Sequence, residues 1–124
     1  ASCHQLILDQ LLHHLNVEPE AAVLCTSNNL LVPAEAFHRI GGFDPGFAFA
    51  AAEDRDFCDR WRESGRQLVY APQAYVRHGH AMTLAAFWRQ HFRYGRGARR
   101  LHGLRRARGR SRGAVPWRVH RERP

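Results

Sequence analysis

An α/β architecture, with helices packed on a short mixed sheet and an amphipathic basic helix after them, is what these 124 residues predict. Three patterns carry that expectation. Apolar residues recur at helical spacing in several stretches, short apolar runs of strand length lie between them, and Pro19, Gly41-Gly42, Pro45-Gly46, Gly65 and Pro72 mark the junctions. Composition agrees with a folded body: 44% of residues are hydrophobic and 24% charged, and the length is about that of one small domain.

Taken in order, Ser2 and Gln5 have the spacing of a capping box, and Leu6, Ile7, Leu11, Leu12 and Leu15 form one apolar face, so a helix is expected over 3–16. Ala21 to Thr26 reads as a buried strand that opens into Ser27-Asn28-Asn29, with a second extended run at Leu30-Leu31-Val32. Pro33 suits the first turn of a short helix through Arg39, which Gly41-Gly42 stops. Residues 43–52 have a Pro-Gly turn and no stable period, and their apolar character suggests a loop lying over something. Glu53 to Ser64 reads as a helix with Phe57 and Trp61 on its core face, Asp56 and Arg60 one turn apart, acids in its first turn and Gly65 as its stop. Strand-like runs follow at 67–70 and 74–77. Thr83 can cap a last helix on which Leu84, Phe87, Trp88, His91 and Phe92 are expected to share one face and Arg89, Arg93, Arg96 and Arg100 another.

Charge divides the chain unevenly. Residues 1–88 hold 6 Arg and 10 acids, net −4, whereas residues 89–124 hold 13 Arg and one Glu, net +12. A mildly acidic body is therefore expected to carry a basic tail; the folded domain is bounded separately at 1–98, and the Arg-rich remainder, 99–124, is expected to be disordered when isolated. Cys3, Cys25 and Cys58 are odd in number and lack C-x-x-C pairing, which favours free thiols and a reducing, cytoplasmic setting. No apolar stretch approaches the roughly 20 residues of a membrane span, and the first residues do not have the pattern of a secretory signal.

Five motifs now stand in a definite order: Ser27-Asn28-Asn29-Leu30; Ile40-Gly41-Gly42-Phe43-Asp44 after Ala36-Phe37; Glu53-Asp54-Arg55-Asp56-Phe57-Cys58; Leu68-Val69-Tyr70-Ala71-Pro72 with Val76-Arg77-His78; and Phe92-Arg93-Tyr94-Gly95-Arg96-Gly97. Over roughly residues 22–98 this order resembles the second, acceptor-side half of family 2 inverting glycosyltransferases of the GT-A fold, in a bacterial branch. The resemblance implies a partial GT-A fold. It also implies a nucleotide-sugar donor and a hydroxyl acceptor, of a cell-envelope glycan or glycolipid. The Asp-x-Asp that holds a divalent metal, Mg or Mn, on the donor diphosphate in that family is absent before Ser27; the one such triplet here is Asp54-Arg55-Asp56. The 124 residues thus correspond to the catalytic-base half and are expected to be inactive alone.

Inverting transfer needs a carboxylate to take the acceptor's proton. The resemblance assigns that role to Asp54, and a helix start favours its ionised form, although first-turn acids also complement the dipole of any helix. Glu53 would orient acceptor hydroxyls. Asn28 and Asn29 would donate to donor oxygens, Asp44 and Asp56 would touch acceptor or pair with Arg, and Arg93 and Arg96 would neutralise the leaving diphosphate. His78 would join the metal as a supplement to oxygen ligands.

Two rival readings come from the residues themselves. The basic tail could bind nucleic acid, although it has no recognised reading motif or repeated aromatic platform. The chain could also be a non-catalytic remnant. A further expectation is peripheral contact of the 84–100 helix with the inner face of the cell membrane, through its arginines and aromatic residues.

Overall fold

The computed structural model of the chain describes residues 3–76 and 83–109, with side chains from residue 9 onward. Among these residues the α-helices are α1 (Cys3–Leu15), α2 (Ala34–Arg39), α3 (Glu53–Glu63) and α4 (Leu84–Ala107), with 3-10 turns at Pro19–Ala21 and Ser27–Asn29. Each lies where its local signals place it. Leu12 and Leu15 of α1 pack against the core, while Ser2, its expected cap, lies outside the described residues. Two left-handed glycines, Gly41 at φ 85° and Gly42 at φ 61°, turn the chain after α2. The Ser64 hydroxyl donates to the Trp61 carbonyl at 2.6 Å as α3 ends. At the start of α4, the Ala86 N–H donates to Thr83 Oγ1 at 3.2 Å, the expected N-cap.

The mixed sheet does not form: the described residues contain no strand. Ala22, Thr26 and Leu30 have extended backbones, as the apolar runs suggest, but extension alone does not make a ladder. Only isolated backbone bonds join the two runs, from Ala22 N–H to the Leu68 carbonyl at 3.1 Å and from Tyr70 N–H to the Pro19 carbonyl at 2.7 Å. Side chains take the places that neighbouring strands would fill. Asn16, 3% exposed, donates Nδ2 to the Leu24 carbonyl at 2.7 Å and accepts at Oδ1 from the N–H groups of Val23 (2.9 Å) and Leu24 (3.2 Å). Its amide offers the donor and acceptor that a strand's peptide would offer. One residue further, the Cys25 N–H lies 3.3 Å from Cys58 Sγ, and the Cys58 thiol donates to the Cys25 carbonyl at 3.4 Å.

The core gathers on α3. Phe57, Cys58 and Trp61 are buried with Ala22, Leu24 and Leu68, and α1, α2 and the extended segments pack around them. Phe37, Phe43 and Phe57 form an aromatic triangle with ring centroids 5.2–5.4 Å apart. Phe43 thereby anchors the turn that the glycines create. Trp61 stacks beyond Phe57 at 5.8 Å and donates its indole N–H to the Gln67 carbonyl at 2.9 Å, so it is a core residue.

Charge, rather than this core, attaches α4. Arg105 forks onto Asp59 (Nε to Oδ2 2.6 Å, Nη2 to Oδ1 3.1 Å), and Arg108 Nη2 donates to Asp56 Oδ1 at 2.6 Å. Asp56 is fully buried and also accepts from Arg60 Nε at 2.8 Å. Arg60 continues to the carbonyls of Ile40 (2.7 Å) and Gly42 (2.6 Å), linking the α2 turn to the same carboxylate. Nearer its start, α4 passes close to the 43–52 loop at Gly97, where an added Cβ would stand 2.1 Å from the Ala51 carbonyl oxygen.

One expectation changes here. The boundary placed at 98/99 falls inside α4, and residues 99–107 are helical because Arg105 and Arg108 find buried carboxylates; residues 110–124 of the expected tail lie outside the described residues. The apolar face expected on this helix is not the side it packs against the body. Gly97 and Leu101 are buried, whereas Leu84, Trp88 and Phe92 point to solvent.

Two substitutions test these bonds by chemical denaturation. Asn16→Leu keeps the branched heavy-atom shape but strands three backbone groups, and is expected to cost roughly 2–4 kcal/mol; an unchanged midpoint would show that water replaces the amide. Arg60→Gln removes one partner of the buried Asp56 and two carbonyl bonds, for an expected loss of about 3 kcal/mol.

Candidate active site

The loop of residues 43–52 delivers the chain to α3 under constraint. Asp44 Oδ1 accepts from the Gly46 N–H at 2.8 Å and Oδ2 from Arg100 Nη2 at 3.0 Å. The Gly46 bond and then Arg100 hold the Asp44 carboxyl below its usual range. Beneath α4, Phe47 lies 5.1 Å from the Arg100 guanidinium, and Phe49 lies 4.9 and 5.7 Å from those of Arg93 and Arg96. This is what the apolar loop lies against. The loop ends at Ala52, whose left-handed φ of 73° is unusual for a residue with a Cβ and costs on the order of 1–3 kcal/mol.

Glu53 and Asp54 follow directly, in the first turn of α3. Asp54 Oδ1 accepts from the Arg55 N–H at 2.8 Å, and Ser27 adds a backbone hydrogen bond. The Ser27–Asn29 turn and the start of α3 therefore meet at this carboxylate. Burial is the main influence on Asp54 and lifts its carboxyl above the ordinary aspartate value, against the lowering effect of those hydrogen bonds. Burial also raises Glu53, with the Asp54 charge adding to it. Glu53 Oε2 is shielded from solvent and has no hydrogen-bond partner among the described residues. A carboxylate oxygen in that state suits a hydroxyl donor brought by a ligand.

The remaining sequence-derived candidates separate from this pair. Asn29 spends its Nδ2 on the Ala74 carbonyl at 2.7 Å, which ties its turn to the 74 segment, while Asn28 is exposed on the same turn. Asp44 holds the loop and α4. Asp56 is not a surface group: complete burial between Arg60 and Arg108 removes it from any acceptor, because two helical residues turn it away from Asp54. Arg93 and Arg96 are exposed and stand over the loop that leads into Glu53. His78 lies outside the described residues.

Sequence reasoning overlooked Asn16, Ala52, Arg105 and Arg108. For the arginines a signal existed: Asp56 and Asp59 are three apart on one helix, as Arg105 and Arg108 are on another, which matches ridge to ridge when the helices run antiparallel. A left-handed Ala and an Asn that stands in for a strand have no such signature.

A divalent cation finds no set of ligands among the described residues, where no three His, Cys, Asp or Glu side chains converge. The Asp54-Arg55-Asp56 triplet does not make one, since one carboxylate faces Ser27 and the other faces arginines. No helix among the described residues is long and apolar enough to cross a membrane.

No curated protein and no solved structure matches the chain. A protein-family match does exist and extends beyond the span of the five motifs, covering residues 4–119 under the description glycosyl transferase family group 2. With most of its length matched, the chain belongs to this family of sugar-transferring enzymes.

Proposed function

We propose that this chain is the acceptor-side and catalytic-base portion of an inverting, GT-A type glycosyltransferase. It would act with a nucleotide-binding portion of the kind the family carries. The observation that carries the reading is the Glu53–Asp54 pair: adjacent carboxyls, both raised by burial, at the start of a helix, with Glu53 Oε2 unpartnered. Glu53 accepts a hydrogen bond from the acceptor and orients it. Asp54, ionised, takes the proton of the attacking hydroxyl as its oxygen bonds to the anomeric carbon and the sugar–phosphate bond breaks, its electron pair leaving with the diphosphate.

A carboxylate raised by burial is a stronger base than an ordinary aspartate, which suits this task. Arg93 and Arg96 supply positive charge beside the loop that leads into the pair, for the departing diphosphate. The divalent metal belongs to the proposal only with carboxylates outside the described residues, His78 being its candidate supplement. A nucleic-acid role loses support, because Arg100, Arg105 and Arg108 are spent on carboxylates of the chain itself.

The test is Asp54→Asn in the polypeptide joined to its nucleotide-binding portion, assayed with a panel of sugar nucleotides. Turnover is expected to fall about 10²–10⁴-fold with donor binding retained; undiminished turnover would sink the assignment. In the unsubstituted protein the acid limb of the pH–rate profile should lie above the ordinary Asp value of about 3.9. Stability carries the opposite sign. A carboxyl raised in the folded state makes folding more favourable as pH falls through that raised value, so at neutral pH its charge is a burden. Asp54→Asn should therefore be at least as stable as the parent at pH 7 by thermal melting, while inactive.

A further inference from the structure

Three large apolar side chains of α4 face water on the side opposite its buried Gly97 and Leu101: Leu84 is 75% exposed, Trp88 67% and Phe92 71%. Spaced by four residues, they form a stripe about 12 Å long down one side of the helix. Arg89, also exposed, flanks the stripe, and exposed Arg99 and Arg106 prolong it at seven-residue intervals from Phe92. The helix has no acidic residue anywhere along it.

We infer that this face of α4 is a docking surface for an anionic lipid bilayer, with the helix lying flat in the interface. The apolar stripe enters the headgroup boundary, where the amphipathic Trp88 ring is at home, and the arginines reach phosphate oxygens on either side. Charge selects this occupant. A second copy of the chain would bring like-charged arginines face to face, and a nucleic acid would answer the arginines but leave Leu84 in water. Packing supports the same choice. The acids that hold α4 to the body take Arg105 and Arg108, on the opposite side, and leave Arg89, Arg99 and Arg106 facing outward.

Docking goes beyond the transferase reading and does not depend on it. If both hold, α4 carries the 43–52 loop through Gly97 and the arginine–Phe49 stack, so the bilayer would fix the height of Glu53 and Asp54 above a lipid-borne acceptor.

The test uses the full chain with vesicles of phosphatidylcholine, with and without phosphatidylglycerol. Co-sedimentation is expected with the phosphatidylglycerol vesicles and at least about tenfold weaker with phosphatidylcholine alone. Leu84→Ser/Trp88→Ser/Phe92→Ser should weaken binding more than about tenfold, and each of Arg89→Ser, Arg99→Ser and Arg106→Ser up to about fivefold. Wild-type binding by the triple variant, with unchanged far-ultraviolet circular dichroism, would overturn the proposal. Should that variant fail to fold, brominated phosphatidylcholine in the anionic vesicles decides. It should quench emission from the parent chain by an amount that Trp88→Phe removes while binding persists; no difference between the two would overturn the proposal. Tighter binding to a duplex oligonucleotide than to the anionic vesicles, equal in parent and triple variant, would assign the surface to nucleic acid instead.

Discussion

A single buried carboxylate joins three parts of the fold. Asp56 is excluded from solvent, and a lone charge there would be very unfavourable, so it is stable only with its two guanidinium partners, Arg60 and Arg108. Arg60 reaches past it to the Ile40 and Gly42 carbonyls, and Arg108 arrives from the end of α4. The α2 turn, α3 and α4 therefore depend on one another through this group. Such an arrangement is not a large source of net stability, since desolvating the three charges offsets much of their attraction. Its effect is on specificity, because few other placements of α4 would satisfy Asp56 and Asp59 together.

Helix geometry then divides the acids of α3 between two roles. Asp56 and Asp59, three apart, share the ridge that meets α4, while Glu53 and Asp54 lie at the end that receives the loop. The first pair is matched by arginines. The second pair is partly desolvated without a matching cation of that kind, which is why burial raises both carboxyls. The left-handed Ala52 immediately before them adds backbone strain at the same point. Strain and unmatched charge both oppose folding, and both are tolerated here because Phe57, Cys58 and Trp61 on the same helix are embedded in the core.

Helices were legible in the sequence because their signals are local. Thr83 caps, Gly41, Gly42 and Gly65 stop, and the Phe57–Trp61 spacing marks a buried face whatever surrounds it. The place of Glu53 and Asp54 in the first turn of α3 is legible for the same reason. Strands are different, since an apolar run such as 21–26 declares only that it wants burial and extension. Whether it becomes a strand depends on what lies beside it, and here the neighbours are the Asn16 amide and the Cys58 thiol. Nothing in a run of apolar residues reports that substitution. The roles of Asp44 and Asn29 were illegible for a related reason: both are turn residues with chemistry that suits a ligand, and each proves to hold the chain to a distant segment.

The faces of α4 show how a local pattern misleads when a long-range charge competes with it. Read alone, the helix offers Leu84, Phe87, Trp88 and Phe92 as the side to bury and its arginines as the side to solvate. What α4 meets on the body is two buried carboxylates on α3 and a backbone carbonyl at Ala51. Leaving those carboxylates unpaired would cost more than leaving three apolar side chains in water, so the helix turns Arg105 and Arg108 inward and accepts Leu84, Trp88 and Phe92 outside. Gly97 permits the choice, because a side chain there would strike Ala51 and lift the helix off the loop. An outward apolar stripe flanked by arginines is therefore a consequence of how α3 distributes its acids: one side of the basic helix closes the fold, and the other stays in contact with solvent.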